Sequence, residues 1–226
     1  MISIINVWKM HLRDKKSWFM MPWMIMMSSF LVNLVISFFT EDLYTGGLAS
    51  FYIFVFVAGI ITVTQTFPFA IGFSVRRIDF LLGTGLTVTL ASIVNAVGLV
   101  LLAVAEHSWF NSWGTELHFF HIQYWSDGAV WEQLWISFMT LLQFFFLGFV
   151  TACIHRRFGR TGMYVFYIGF SVLFTILSFL CTSNNWWKPI FNWLGDQTAF
   201  DYSLWMIPLL ACYGIIAYLL LRRATV

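Results

Sequence analysis

LWISFMTLLQFFFLGFVTACI (134–154), HRRFGRT (155–161) and MYVFYIGFSVLFTILSFLC (163–181) follow one another with only Gly162 between the last two. Each uncharged run is about the 20 residues that an α-helix needs to cross a hydrocarbon core. The basic link is too short for anything but a tight reversal. The pair therefore reads as a membrane hairpin whose turn, with Arg156, Arg157 and Arg160, is held at a polar surface.

The same pattern extends in both directions. Uncharged spans are expected at Trp18–Thr40, Leu48–Phe67, Leu82–Ala105, Leu134–Ile154, Met163–Cys181 and Leu204–Leu221, six in all. Hydrophobic residues make up 60% of the chain, charged residues 10%, and mean hydropathy is +0.82, outside the range of soluble domains. Six spans nearly exhaust 226 residues, so one membrane domain is expected over 1–226. It divides into an interfacial segment at 1–17, a six-span bundle at 18–221 and a tail at 222–226.

Charge orients the bundle. Of the 12 Lys and Arg residues, all but Lys188 fall in one alternate set of gaps: Lys9, Arg13, Lys15 and Lys16, then Arg76 and Arg77, then Arg156, Arg157 and Arg160, then Arg222 and Arg223. Glu41, Asp42, Glu106, Glu116, Asp127, Glu132, Asp196 and Asp201 share the other set with Lys188. Positive residues in short loops stay cytoplasmic during insertion, which places both termini inside the cell. No short apolar core with a small-residue cleavage site precedes the first span, so no cleavable signal peptide is expected.

The start of the chain has an amphipathic pattern, with Met1, Ile4, Ile5, Trp8 and Leu12 on one helical face and Asn6, Lys9 and Arg13 opposite, and Lys15 intruding on the apolar side. This predicts a helix lying in the membrane interface. Between the second and third spans, FPFAIGFSVRRIDFLLG (67–83) is expected to break at Pro68 and resume as a short helix capped by Ser74 and reaching Leu82. Outer loops rich in Trp109, Phe110, Trp113, Phe119, Phe120, Tyr124, Trp125 and Trp131 are expected to lie against the outer leaflet. The segment with Trp186, Trp187, Phe191 and Trp193 is expected to do the same.

The inventory of chemistry is thin. No carboxylate or basic group lies within a span, which argues against a proton-relaying pump and against a membrane enzyme. His118 and His121 form an H-x-x-H without a third ligand; interfacial residues explain it, and no metal is expected. Cys153, Cys181 and Cys212 are isolated, so no redox pair is expected. Thr62, Thr64, Gln65 and Thr66 cluster near the inner end of the second span, and Asn95 lies among small residues in the third. Helix packing is the preferred reading of both sets, with a substrate-lining surface as the alternative. There is no phosphate-binding glycine loop, so ATP-driven work requires another polypeptide.

Across essentially its whole length the chain resembles the small six-span permeases of the type-2 ABC exporter family from Gram-positive bacteria. The most specific piece is FPFAIGFSVRRIDFLLGTG (67–85), similar to the first cytoplasmic loop of those permeases. The resemblance implies a coupling helix seated on an ATPase subunit, formed here by Ser74, Val75, Arg76, Arg77, Ile78, Asp79 and Phe80. Arg156, Arg157 and Arg160 would make a secondary cytoplasmic contact, and Trp186, Trp187, Pro189 and Trp193 an outer re-entrant segment. It further implies two permease copies, or a pair with a paralogue, in the cell membrane. ATP and Mg would be bound by the partner, the permease itself would be no enzyme, and no nucleic acid is involved. Amphipathic cargo (a peptide, lipid or drug) is expected. A passive channel or carrier, or a peptide-sensing immunity subunit, are the alternatives.

Overall fold

Backbone amides surrounded by apolar side chains have little to bond except one another, and 87% of the described residues are helical. The computed structural model describes residues 2–13, 16–40, 43–108, 112–114, 117–120 and 128–222. The readings made above for Met1, Lys15, Glu41, Asp42, Trp109, Phe110, Glu116, His121, Tyr124, Trp125, Asp127 and Arg223 lie outside these residues.

The elements in order are α1 (Ile2–Arg13), a π-turn (Lys16–Met20) leading into α2 (Met21–Ser37), and β1 (Leu43–Tyr44). Then come α3 (Ala49–Ile61), a second π-turn (Thr62–Thr66), α4 (Phe67–Gly72) and α5 (Arg77–Ser108). After β2 (Leu117–His118) follow α6 (Val130–Ser183), α7 (Trp187–Gly195) and α8 (Ala199–Arg222). Five of the described helical stretches are long and apolar enough to cross a membrane, as a multi-pass membrane protein requires. One of them is the 54-residue α6, about 80 Å long if straight and more than twice a hydrocarbon core.

It is not straight. Gly159 sits at φ 67° and ψ −164°, a backbone region open essentially only to glycine, and divides α6 into limbs at 130–158 and 160–183. The chain then has to double back. Trp131 meets Phe200 at 5.2 Å and Gln143 reaches the Tyr213 hydroxyl at 3.4 Å, so α8 runs parallel to the first limb. The second limb carries the chain back between them.

Glycines set the helix contacts. A Cβ on Gly59 of α3 would strike the Phe145 carbonyl of α6, and one on Gly148 of α6 would strike the Phe56 carbonyl of α3. The two backbones therefore touch, which is how helices associate where no hydrophobic drive separates lipid from side chain. On α5, Gly98 takes the Trp23 ring of α2, whose indole N–H donates to Asn95 at 2.9 Å. Asn95 is buried there, and the hydroxyls of Thr87 and Thr89 bond the carbonyls of Gly83 and Gly85 in their own helix. The third expected span is thus a packing surface.

α1 docks on the start of α5. Val7 is buried against Gly83, and His11 Nε2 lies 3.1 Å from the Thr84 hydroxyl. The buried face is Ile4, Val7, Trp8 and His11, whereas Ile5, expected on the apolar side, is exposed. The missing Cβ at Gly83 chooses that rotation.

The far end is closed by a small plug. Leu43 and Tyr44 pair in parallel with Leu117 and His118, and Tyr44 stacks on His118 at 4.4 Å. Glu106, fully buried at the end of α5, accepts from the Trp113 indole at 3.0 Å and from the backbone N–H groups of Phe119 and Phe120 at 3.2 and 3.0 Å. Phe119 and Phe120 pack on Phe30 and are buried in the bundle. This corrects the expectation that these aromatics face lipid: a carboxylate inside the bundle collects their amides and draws the loop inward. At the same end Thr198 and Asp201 bond reciprocally across the first turn of α8, and the two hydrogen bonds from Thr198 hold the Asp201 carboxyl below its ordinary pKa.

Gly59→Leu and Gly148→Leu are each expected to lower stability by about 1–3 kcal/mol through overpacking, read as the midpoint of thermal unfolding in detergent. Gly169→Leu, where a Cβ meets open space, should leave the midpoint unchanged or raise it.

Candidate functional site

All described Lys and Arg residues except Lys188 lie at one end of the bundle. There the start of α5, the ends of α3 and α8, and the Gly159 reversal come together.

The link from α4 to α5 is built from two backbone bonds. Ser74 N–H donates to Ile71 O at 2.8 Å and Val75 N–H to Ala70 O at 3.2 Å, with Ser74 left-handed at φ 60°. That arrangement terminates a helix. The expected short helix capped by Ser74 therefore does not form: Ser74 closes α4, and α5 begins at Arg77 and runs uninterrupted for 32 residues. Asp79 occupies its first turn, where a negative charge complements the unpaired amides. Phe80 is buried, edge-on to Phe67 at 5.2 Å, and Val75 is half-buried beside it. Arg76 and Ile78 are exposed.

The two adjacent arginines have different work. Arg77 Nη1 donates to the carbonyls of Leu221 at 3.0 Å and Arg222 at 2.6 Å, the last turn of α8. A guanidinium there satisfies orphan acceptors and meets the negative end of the helix dipole. The Arg76 side chain has no hydrogen-bonding or ionic partner among the described residues. Between the first turn of α5 and the last of α8 lies an open depression of about 330 Å³, walled by Arg76, Arg77, Ile78, Tyr218, Leu221 and Arg222. Its rim is cationic and its floor apolar.

The second basic link behaves similarly. Arg156 lies over the Phe67 ring at 5.0 Å and reaches the Val63 carbonyl at 3.5 Å, inside the π-turn at the end of α3. Arg157 rests on Phe158 at 4.8 Å, and Arg160 is exposed. Arg76 and Arg160 are thus outward-facing, while Arg77 and Arg156 tie helices together. Sequence reasoning named all four but could not divide them. It missed Tyr218 and Leu221, whose only signal was their position in the last turn before a closing arginine.

The outer aromatic set stands apart, at the opposite end. Trp186, Trp187, Pro189 and Trp193 are exposed; the Trp187 indole donates to Thr182 at 2.9 Å, Trp187 stacks on Phe191, and Trp193 meets Trp205 edge-on at 6.3 Å. Comparison with known protein families, curated proteins and solved structures finds no match to the chain.

Arg77→Ala is expected to lose about 1–2 kcal/mol of stability, because two carbonyls lose a charged donor. Arg76→Ala should stay within about 0.5 kcal/mol of the parent. Ser74→Gly should stabilise by about 1 kcal/mol by relieving a left-handed serine. Chemical or thermal unfolding of the three purified variants checks all of these.

Proposed function

We propose that this chain is the six-span permease subunit of an ATP-driven type-2 ABC exporter, with both termini and the 67–83 link on the cytoplasmic side of the cell membrane. The second limb of α6 is the fifth span, α1 lies in the inner interface, and α7 is the outer re-entrant segment. ATP and Mg are bound by a separate subunit; the cargo is amphipathic.

The observation that carries this reading is the cationic depression at the basic end. It is joined rigidly to two helices at once, through Arg77 to α8 and through the unbroken continuation of α5. A partner presenting a carboxylate beside an apolar side chain fits it, with Arg76 free to pair. Force applied there moves whole helices, since no flexible loop intervenes. The second limb of α6 supports a second permease copy: it is apolar and exposed around its circumference, as a helix is when a neighbour or lipid must cover it. Burial of Phe119 and Phe120 favours transport over the peptide-trapping alternative, because the outer loop is occupied in closing the bundle.

The test is co-expression with any phosphate-loop ATPase that a neighbouring reading frame encodes, followed by co-purification and ATPase assay in lipid nanodiscs. Arg76→Glu should leave the permease folded while lowering partner recovery and stimulated hydrolysis by about tenfold, the loss of roughly 1.4 kcal/mol at one desolvated charge pair. Full stimulation in that variant, or external accessibility of a cysteine placed at Ser74, overturns the proposal.

A further inference from the structure

A cavity of about 490 Å³ opens at the basic end between α1, the start of α2 and the end of α3. It is separate from the cationic depression, sharing no lining residue with it. Two features mark it as built. Both long helices that wall it change to π geometry at the cavity, over Lys16–Met20 before α2 and Thr62–Thr66 after α3. A π-turn widens the helix by one residue, is rare, and occurs frequently at functional sites. In addition its lining is segregated. Met10, Trp18, Met21 and Phe54 supply an apolar wall, while Thr62, Gln65 and Thr66 follow one another on the α3 side and His11 lies edge-on to Trp18 at 5.3 Å.

The chemistry of that lining is specific. Among the described residues, no carboxylate, ammonium or guanidinium lines the cavity. The Thr62 hydroxyl donates to Ala58 O at 2.8 Å and keeps acceptor capacity. The Gln65 side chain has no partner among the described residues, so its amide can both donate and accept. The volume lies within the range of small-molecule sites, which are mostly apolar with a few placed polar groups. A charged head group would find no counter-charge among the described lining residues, whereas an uncharged one can bond to Gln65 and Thr66.

We propose that this cavity binds a single-chain amphiphile with an uncharged, hydrogen-bonding head group, the chain lying along Trp18 and Phe54 and the head on Gln65 and Thr66. Binding is a property of this subunit alone and does not depend on the ATPase reading; the two can fail separately. The ligand enters from the inner leaflet, because the mouth lies at the basic end beside the exposed Met21 and Phe69.

The experiment uses the purified full chain in nanodiscs without any ATPase. A long-chain monoacylglycerol bearing a diazirine and an alkyne is photolysed, and labelled peptides are mapped by mass spectrometry. Label is expected within residues 10–21 and 54–69. Ala58→Trp, which fills the cavity, should lower that label by about tenfold. Label on residues 163–181, exposed to bulk lipid, should be unchanged. Gln65→Leu should weaken labelling by the neutral probe. If Ala58→Trp does not purify as a folded protein, Ile61→Trp at the exposed rim is the second variant. A resident membrane lipid would co-purify in native mass spectrometry, whereas a transient ligand would not, and either origin supports the site. Label spread over both regions in proportion to exposure and indifferent to the tryptophan variants overturns the proposal. So does equal cavity labelling by the corresponding anionic fatty acid.

Discussion

A peptide N–H or C=O left unpaired in hydrocarbon costs several kcal/mol, and that constraint governs everything else in this chain. It turns apolar sequence into helix before any tertiary contact is considered. It also explains what the hydroxyl side chains do: Thr62, Thr87, Thr140, Thr151 and Thr175 each donate to a carbonyl four residues earlier in their own helix. Their polarity is satisfied locally, so they make no demand on neighbours. Attraction between helices then has to come from close packing. Gly59 against the Phe145 carbonyl, Gly148 against the Phe56 carbonyl, Gly98 under Trp23 and Gly83 under Val7 supply it, each by removing a side chain at a crossing.

The two ends of the bundle solve a second problem by opposite electrostatics. Where helices stop, carbonyls or amides are left over. At the basic end, guanidinium groups donate to surplus carbonyls: Arg77 to the end of α8 and Arg156 to the end of α3. At the other end a carboxylate accepts from surplus amides, Glu106 collecting those of Phe119 and Phe120. The basic residues gathered at one end are therefore partly used as mechanical ties, and only geometry separates those that fasten two helices from those that face outward.

This limits what could be read from the sequence. The helical, multi-pass character of the chain and the sorting of charge between the two ends were legible, because they depend on composition over long windows. The role of Ser74 was not: serine before a helix suggests an N-cap, yet here its backbone is left-handed and closes the helix before it. Nothing in FPFAIGFSVRRIDF distinguishes the two, since both use a small polar residue between apolar runs. The rotation of α1 was likewise hidden. Val7 and His11 are chosen by the gap at Gly83 and the hydroxyl of Thr84, far away in sequence. The π-turns leave no mark on hydropathy at all. Phe119 and Phe120 misled for a different reason: an aromatic next to a membrane can face lipid or protein, and a single buried acid decided between them.

The second limb of α6 presents the opposite case, in which burial in one chain is informative by its absence. Ser171, Thr175, Ser178 and Thr182 recur at intervals of four, three and four, which places them along one face. The hydroxyls of Thr175 and Thr182 are already bonded to Ser171 and Ser178 carbonyls, and Thr182 also accepts from the Trp187 indole, so that face is small in profile and locally satisfied. The other faces carry Phe166, Phe170 and Phe179, all exposed, while Tyr164 and Tyr167, one to two turns before Ser171, lie on the side of the stripe itself. Bulky aromatics are readily covered by lipid, whereas a shallow stripe of small residues leaves room that acyl chains fill poorly and another helix can fill well. The two surfaces of this limb therefore have different natural neighbours. A helix joined to the bundle through Gly159 at one end and through α7 at the other can meet both without disturbing the packed first limb.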